Sequence, residues 1–300
     1  MRALVISGGG SKGAFAGGVA QYLIQNKGNK YDLFLGTSTG SLLIPHLALG
    51  SIDKLHSIYT NVNMDKIFDI NPFIVKNKDE KSFVTINHLN VIRQLFRGKR
   101  TFGESRKLRK FIKSNLTIAE FEYLKSLPTD IIVTVTNITK NEAEYKSIKD
   151  CTYAEFCDWI WISSNYIPFM SLVKKQGCEY GDGGFSCLVP IKEAILRGAT
   201  EIDVIILETE ISLSRAPLGN NPFSLMINLF LFMIDQIGKS DVSIGKLAAI
   251  NNNAKLNLYY TPTKLTNNAL VFDQVEMKKW WQLGFDYAKN KSEIMSEVRQ

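Results

Sequence analysis

The chain has 300 residues, a formal charge of +7, 45% hydrophobic and 22% charged residues. That balance is close to a soluble globular average and allows a substantial core, and the length suits one large α/β domain or two ordinary ones. The positive charge favours anionic partners such as phosphate groups or acidic lipid surfaces.

Residues 2–7 form a short apolar run and are predicted as a first strand. The run is too short for a signal-peptide core. A helix is predicted over 13–26, a strand over 32–36 and a helix over 39–50. Residues 61–125 are polar, basic and broken by Asn, Pro and Gly, so they read as an inserted cap or lid. Further strands are predicted at 129–136, 202–207 and 255–262, and helices at 153–162, 190–197 and 274–289. A polar tail is expected over 291–300. Strands alternating with helices predict a mainly parallel sheet covered on both faces.

Two apolar features have two readings each. PFSLMINLFLFMI, 222–234, is shorter than the roughly 18 apolar residues of a spanning helix. It reads as a buried core helix or as an interfacial or acyl-channel segment. Trp280-Trp281 read as interface anchors or as residues packed on the sheet. The four cysteines, at 151, 157, 178 and 187, lack C-x-x-C spacing, and no histidine follows His88. A Cys/His zinc site is therefore not expected, and no metal is assigned. Reduced thiols suit a cytoplasmic protein, with peripheral membrane contact as an added option.

The chemistry concentrates in three glycine-rich strings. Gly8-Gly9-Gly10-Ser11-Lys12-Gly13 satisfies G-x-G-x-x-G, the dinucleotide-binding spacing. A dinucleotide site also wants an acidic residue at the far end of the second strand. Asp32 lies at that strand's start, and its far end holds Gly36 and Thr37. A nucleotide-binding oxidoreductase is therefore the weaker alternative. Gly36-Thr37-Ser38-Thr39-Gly40 is G-x-S-x-G between an apolar strand and an apolar helix. That setting suits a serine nucleophile on a tight strand-to-helix turn. The helix dipole and the Thr39 N–H would face a developing oxyanion. His46, His56 and His88 all fall early in the chain, which argues against a Ser-acid-His triad. His46 lies two turns along the Ser38 helix, too far to serve as base. A carboxylate is the remaining option, and Asp182 sits between glycines in EYGDGGFS.

In order and spacing, these strings resemble the patatin-like phospholipase family. GGGSKG matches the family's glycine-rich loop, GTSTG its nucleophile motif and Asp182-Gly183-Gly184 its D-G-G/A motif. SSNYIPFMSLVKKQGCEYGDGGFSCLVPIKEAILRGA resembles the family's run around the acid. The resemblance covers roughly residues 1–290 as one domain. It implies a three-layer α/β/α sandwich and a lipid acyl hydrolase of phospholipase A type, with no cofactor. Ser38 would attack the ester and Asp182 would act as base. Gly8, Gly9 and Gly10, with Thr39, would hold the oxyanion, and Lys12, Gly13, Gly36, Gly40, Gly183 and Gly184 would support the site. Lys12 stands where the family usually has Arg. Cys187 stands near where it often has Asn. A catalytically weak lipid-binding protein is the second alternative.

Residues 91–113, VIRQLFRGKRTFGESRKLRKFIK, hold nine Lys or Arg and one Glu, a local charge of +8. Interleaved apolar residues suit an anionic membrane at about 1 kcal/mol per basic residue. A solvated helical face is the plainer reading. No recognised motif supports nucleic acid. The expected partners are thus an acyl-lipid substrate, an anionic membrane and an activator, since such an enzyme endangers its host's membrane. No residue identifies that activator.

Overall fold

The computed structural model describes residues 1–78, 81–211 and 222–297. Strand β1 (Arg2–Ile6) opens the chain, and helix α1 (Gly13–Gln21) follows, ending in a π-helical turn over Tyr22–Asn26. β2 (Leu33–Thr37) leads directly into α2 (Thr39–Ala48), then α3 (Ile52–Thr60). The expected cap region holds α4 (Met64–Ile67), a hairpin of β3 (Phe73–Lys78) and β4 (Lys81–Ile86), α5 (His88–Phe96), α6 (Arg106–Asn115) and α7 (Ile118–Ser126). β5 (Asp130–Asn137), β6 (Glu142–Ser147), α8 (Tyr153–Ser163), β7 (Val173–Lys175) and β8 (Cys178–Asp182) come next. The chain closes with α9 (Ile191–Leu196), β9 (Glu201–Ile206), α10 (Pro222–Asn251), β10 (Lys255–Tyr260) and α11 (Gln274–Glu297).

The main sheet has the order β10-β9-β1-β2-β5-β8-β7, with β6 on the other edge of β5. The strands from β10 to β5 are parallel, and β6, β7 and β8 add antiparallel pairs. Side chains alternate between the faces of such a sheet. Leu4 and Ile6 accordingly join the core under α1, α2, α8 and α11, while Ala3 and Val5 join the core under α9 and α10. The result is the expected three-layer α/β fold.

Several finer expectations change. Residues 61–125 contribute Leu108, Ile112, Leu116, Phe121 and Leu124 to the main core. Trp280 and Trp281 are both buried, and Trp281 Nε1 donates to Gln21 Oε1 at 2.7 Å. They pack α11 on α1 and do not anchor an interface. A Cβ on Gly17 or Gly18 would strike Trp281, so small residues on α1 permit this close approach. The expected tail instead continues α11 as far as Glu297, with 298–300 outside the described residues. The 222–234 run opens the longer helix α10 but is no core helix, because Leu225, Met226, Leu229, Phe232 and Met233 are exposed. Among the described residues, no helix is long and apolar enough to cross a membrane.

Candidate active site

Ser38 sits where β2 turns into α2. β2, LFLGT, is buried along its whole length, and Ser38 takes φ 53° and ψ −119°. Such a backbone costs about 1–3 kcal/mol for a residue with a Cβ and persists where packing enforces it. A Cβ on Gly40 would collide with the Ile6 carbonyl, and one on Gly36 with the backbone of Gly40. These glycines let α2 start hard against the sheet, so the serine stands at the strand's carboxyl end. Its N–H donates to Ser163 Oγ at 2.9 Å, and that hydroxyl donates to the Thr134 carbonyl at 2.6 Å. Its carbonyl accepts from Ser41 Oγ at 2.6 Å and Ser164 Oγ at 3.2 Å.

Strand register delivers the acid. Thr37 on β2 pairs with Thr134 on β5, and the next β5 residue, Val135, pairs with Asp182 on β8. β6 fills the opposite edge of β5 over Ile132–Asn137. β2 and β8 therefore meet end to end on one edge of β5, and Ser38 and Asp182 share the gap between them. Ser38 Oγ donates to Asp182 Oδ2 at 2.6 Å, while Oδ1 accepts the Gly184 N–H at 2.8 Å. Asp182 is only 2% exposed. Burial pushes its carboxyl up from 3.8 to about 7, against the downward pull of the bonds from Ser38 and Gly184. A base is most effective with a pKa near the working pH.

The glycine-rich loop lies beside this pair. A Cβ on Gly8 would sit 3.1 Å from Ser38 Cβ. Gly8 departs from its expected part as an oxyanion donor, because its N–H is given to the Leu188 carbonyl at 3.2 Å. The N–H groups of Gly9, Gly10 and Thr39 stay outside the chain's own hydrogen bonds among the described residues. Asp241 of α10 steadies this region, its Oδ2 accepting the Leu188 N–H at 2.6 Å and the Val189 N–H at 3.0 Å. Lys12 is buried and ion-pairs with Glu208, just beyond β9. The lysine thus ties the loop to a neighbouring strand end.

Tyr59 of α3 was not legible as a site residue. Its hydroxyl donates to the Gly10 carbonyl at 2.6 Å and meets Thr39 Oγ1 in a second hydrogen bond. One buried phenol therefore joins the glycine loop to helix α2. Gly13 is required here, since a Cβ would strike both hydroxyls. In the sequence, Ile52, Leu55 and Tyr59 look like the apolar face of an amphipathic helix, and all three are indeed buried.

The histidines stay apart from the pair. Burial holds His46 down at about 4, so it is neutral, and it lines a wall of the adjoining cavity. His56 meets Trp281 edge-on at 4.8 Å, and His88 is exposed at the start of α5. Asp32 accepts the Arg2 N–H at 2.8 Å at the amino end of β2, so it is no ribose ligand at the far end.

Ser38 and Asp182 open on a cavity of about 500 Å³. One end carries Gly9, Gly10 and the Lys12–Glu208 pair. The remainder is walled by Leu42, Leu55, Val62, Phe68, Leu108 and Ile112, from α2, α3, α6 and the segments between α3 and β3. Such a volume lies within the range of small-molecule and lipid-chain sites.

Comparison with known proteins bears on the family and the fold. The patatin-like phospholipase family model matches residues 4–195. A "cUMP-AMP-activated phospholipase" from Escherichia coli is 38% identical over 64 residues, which is 20% of this chain and 20% of that protein. The crystal structure of VipD from Legionella pneumophila superposes with a TM-score of 0.50 at 14% identity, covering 96% of this chain and 66% of the VipD chain. The chain thus spans less than two thirds of either relative's length, and VipD speaks to the fold alone. With a family model matching most of its length, this chain belongs to the patatin-like phospholipase family.

Proposed function

We propose that the protein is a lipid acyl hydrolase that cleaves carboxylic esters of phospholipids through an acyl-enzyme on Ser38. The observation that carries this reading is the 2.6 Å bond from Ser38 Oγ to the buried Asp182 at the head of a largely apolar cavity. In the first half-reaction Ser38 Oγ attacks the ester carbonyl carbon and its proton passes to Asp182 Oδ2. The carbonyl oxygen becomes an oxyanion facing the N–H groups of Gly9, Gly10 and Thr39. Losing one such donor typically costs about 3 kcal/mol in the transition state. The intermediate collapses, the C–O bond to the leaving alcohol breaks, and Asp182 returns the proton to that alcohol. In the second half-reaction Asp182 takes a proton from water, whose oxygen attacks the acyl carbon. Free fatty acid leaves and Ser38 regains its proton.

The apolar cavity supports an acyl chain as the group held during this cycle, because burying it releases about 0.8 kcal/mol per CH₂. The basic 91–113 stretch supports an anionic membrane as the surface where substrate is met. An activator is part of the reading as well. The E. coli relative is named for activation by cUMP-AMP, and the identity of an activator here is separate from that name. The test is fatty-acid release from mixed phospholipid vesicles. Wild type should release acid and Ser38→Ala should not. Equal release by both proteins would refute the nucleophile.

A further inference from the structure

Helix α5 has an outer face that the fold leaves uncovered. It spans His88–Phe96, nine residues, and is capped by Asn87, whose side chain accepts from the Asn90 N–H. Val91 and Gln94 point inward and are buried. Leu89, Ile92, Leu95 and Phe96 point outward, and Leu89 and Phe96 are 82% and 89% exposed. At 100° per residue the four form one arc, and Arg93 and Arg97 stand along one flank of it. Both arginines are exposed. Large apolar side chains normally avoid such exposure in clusters, and a clustered patch marks an interaction site.

We propose that α5 lies in the headgroup–acyl boundary of an anionic bilayer, with Leu89, Ile92, Leu95 and Phe96 inserted and Arg93 and Arg97 on the lipid phosphates. The proposal rests on the acyl hydrolase reading for its purpose, since it brings the cavity to its substrate. Charge decides the occupant. Arg93 and Arg97 stand exposed on the flank of this face, whereas Lys99, Arg100, Arg106, Arg109 and Lys113 further along pair with Glu104, Glu179 and Asp158. A second copy docked symmetrically on this face would set the two arginines against their own copies. An anionic bilayer complements them and accepts the apolar arc at the same time. A short amphipathic helix with a basic flank has the form of an interfacial element. Its position also suits the site. Asn90 Nδ2 donates to the Asn71 carbonyl at 2.9 Å, and the Asn87 N–H donates to the Pro72 carbonyl at 2.8 Å. The next residue, Phe73, lines the catalytic cavity and packs on Phe169 at 5.2 Å between ring centroids. The docked helix is thus two residues from the cavity wall.

The test measures co-sedimentation with phosphatidylcholine vesicles and with vesicles containing phosphatidylserine. All proteins carry Ser38→Ala, so binding is read without lipid consumption. The parent should prefer the anionic vesicles. Leu89→Glu with Phe96→Glu should weaken that binding at least tenfold. Arg93→Gln with Arg97→Gln should remove most of the anionic preference. In the Ser38 background, both pairs should turn over a water-soluble short-chain ester at the parental rate, which shows that the fold and site are intact. Unchanged anionic binding by the Leu89/Phe96 variant would overturn the proposal. So would a parent that dimerises through this face and ignores vesicles. Absent ester turnover by the Ser38 protein, with vesicle binding intact, would count against the hydrolase reading and leave the surface standing.

Discussion

Two aspartates are buried in the same sheet and meet opposite surroundings. Asp203, on β9 near the amino ends of the strands, is 0% exposed. Its carboxylate accepts from Arg2 Nη2 at 2.8 Å, Tyr31 Oη at 2.7 Å, Asn29 Nδ2 at 3.2 Å and Asn257 Nδ2 at 2.8 Å. Asp182, at the carboxyl ends, is 2% exposed and among the described residues receives only Ser38 Oγ and the Gly184 N–H. A buried charge is tolerated when paired and fully hydrogen-bonded. Asp203 meets that condition with a cation and several neutral donors. Asp182 has no cation among its bonded partners, so its charged form is poorly compensated and its affinity for a proton rises. The first arrangement holds the sheet together. The second suits the base that the proposed mechanism requires.

The largest separation of the two should come from Asp182→Asn. The amide keeps the shape but cannot take the Ser38 proton, and ester turnover should fall by about 10³–10⁴-fold, as expected when a nucleophile loses its base. Circular dichroism and thermal melting should show an intact fold. Near-normal turnover by the purified variant would break the comparison.

Asp203→Asn should do the reverse. Arg2 loses its buried partner, and stability should fall by about 2–4 kcal/mol in urea titrations. Turnover per folded molecule should stay within about twofold. A large loss of turnover in a stably folded Asp203→Asn protein would show that the two ends are not separate.

The pH dependence sharpens the same contrast. In the proposed mechanism Asp182 acts as a base only when ionised, so turnover should rise as pH passes about 7. Stability should run the other way. The folded carboxyl titrates at about 7, and its ordinary value is 3.8. Between those values the folded state holds a proton that the unfolded state has released, so stability falls as pH rises through this window and levels off above it. Asp182→Asn should flatten this slope and melt higher than wild type at pH 8. A wild-type melting temperature that rises between pH 4.5 and 7.5 by the same amount in both proteins would contradict the assignment.

The smallest effect concerns Tyr59. Tyr59→Phe removes the bonds to the Gly10 carbonyl and to Thr39 Oγ1 and leaves the ring packed. One hydrogen bond of about 1 kcal/mol held in the transition state corresponds to a roughly five- to tenfold lower kcat, with KM unchanged. An equal loss in KM and none in kcat would place Tyr59 in substrate binding instead.

How much of this was readable beforehand follows from physical range. β1, β2, β5 and β9 are apolar runs buried in the sheet, and their pattern is local, so they were legible. The G-x-S-x-G turn was legible for the same reason, because Ser38 and its flanking glycines lie within five residues. β6, β7 and β8 are short and mixed in polarity, with half-buried residues along them, so their own pattern is silent, and only the resemblance implied a strand pair before the Asp motif, where β7 and β8 lie. The meeting of Ser38 with Asp182 depends on how β2 and β8 share an edge of β5. Register of that kind is long-range, and only the resemblance of the three motifs pointed to it. Tyr59 and Asp241 act through backbone groups far away in the chain, so nothing local distinguished them from ordinary core and helix residues. Gly8 shows the converse. Its place in the glycine string is local, but its N–H direction depends on Leu188, which is 180 residues away.

The measurement that tests the central claim most directly is covalent labelling by a fluorophosphonate, read by intact-protein and peptide mass spectrometry. A single adduct on the peptide containing Ser38 is expected in wild type, with labelling slowed by orders of magnitude in Asp182→Asn. Labelling at another residue, or an equal rate in the two proteins, would contradict the pairing of Ser38 with Asp182 as nucleophile and base.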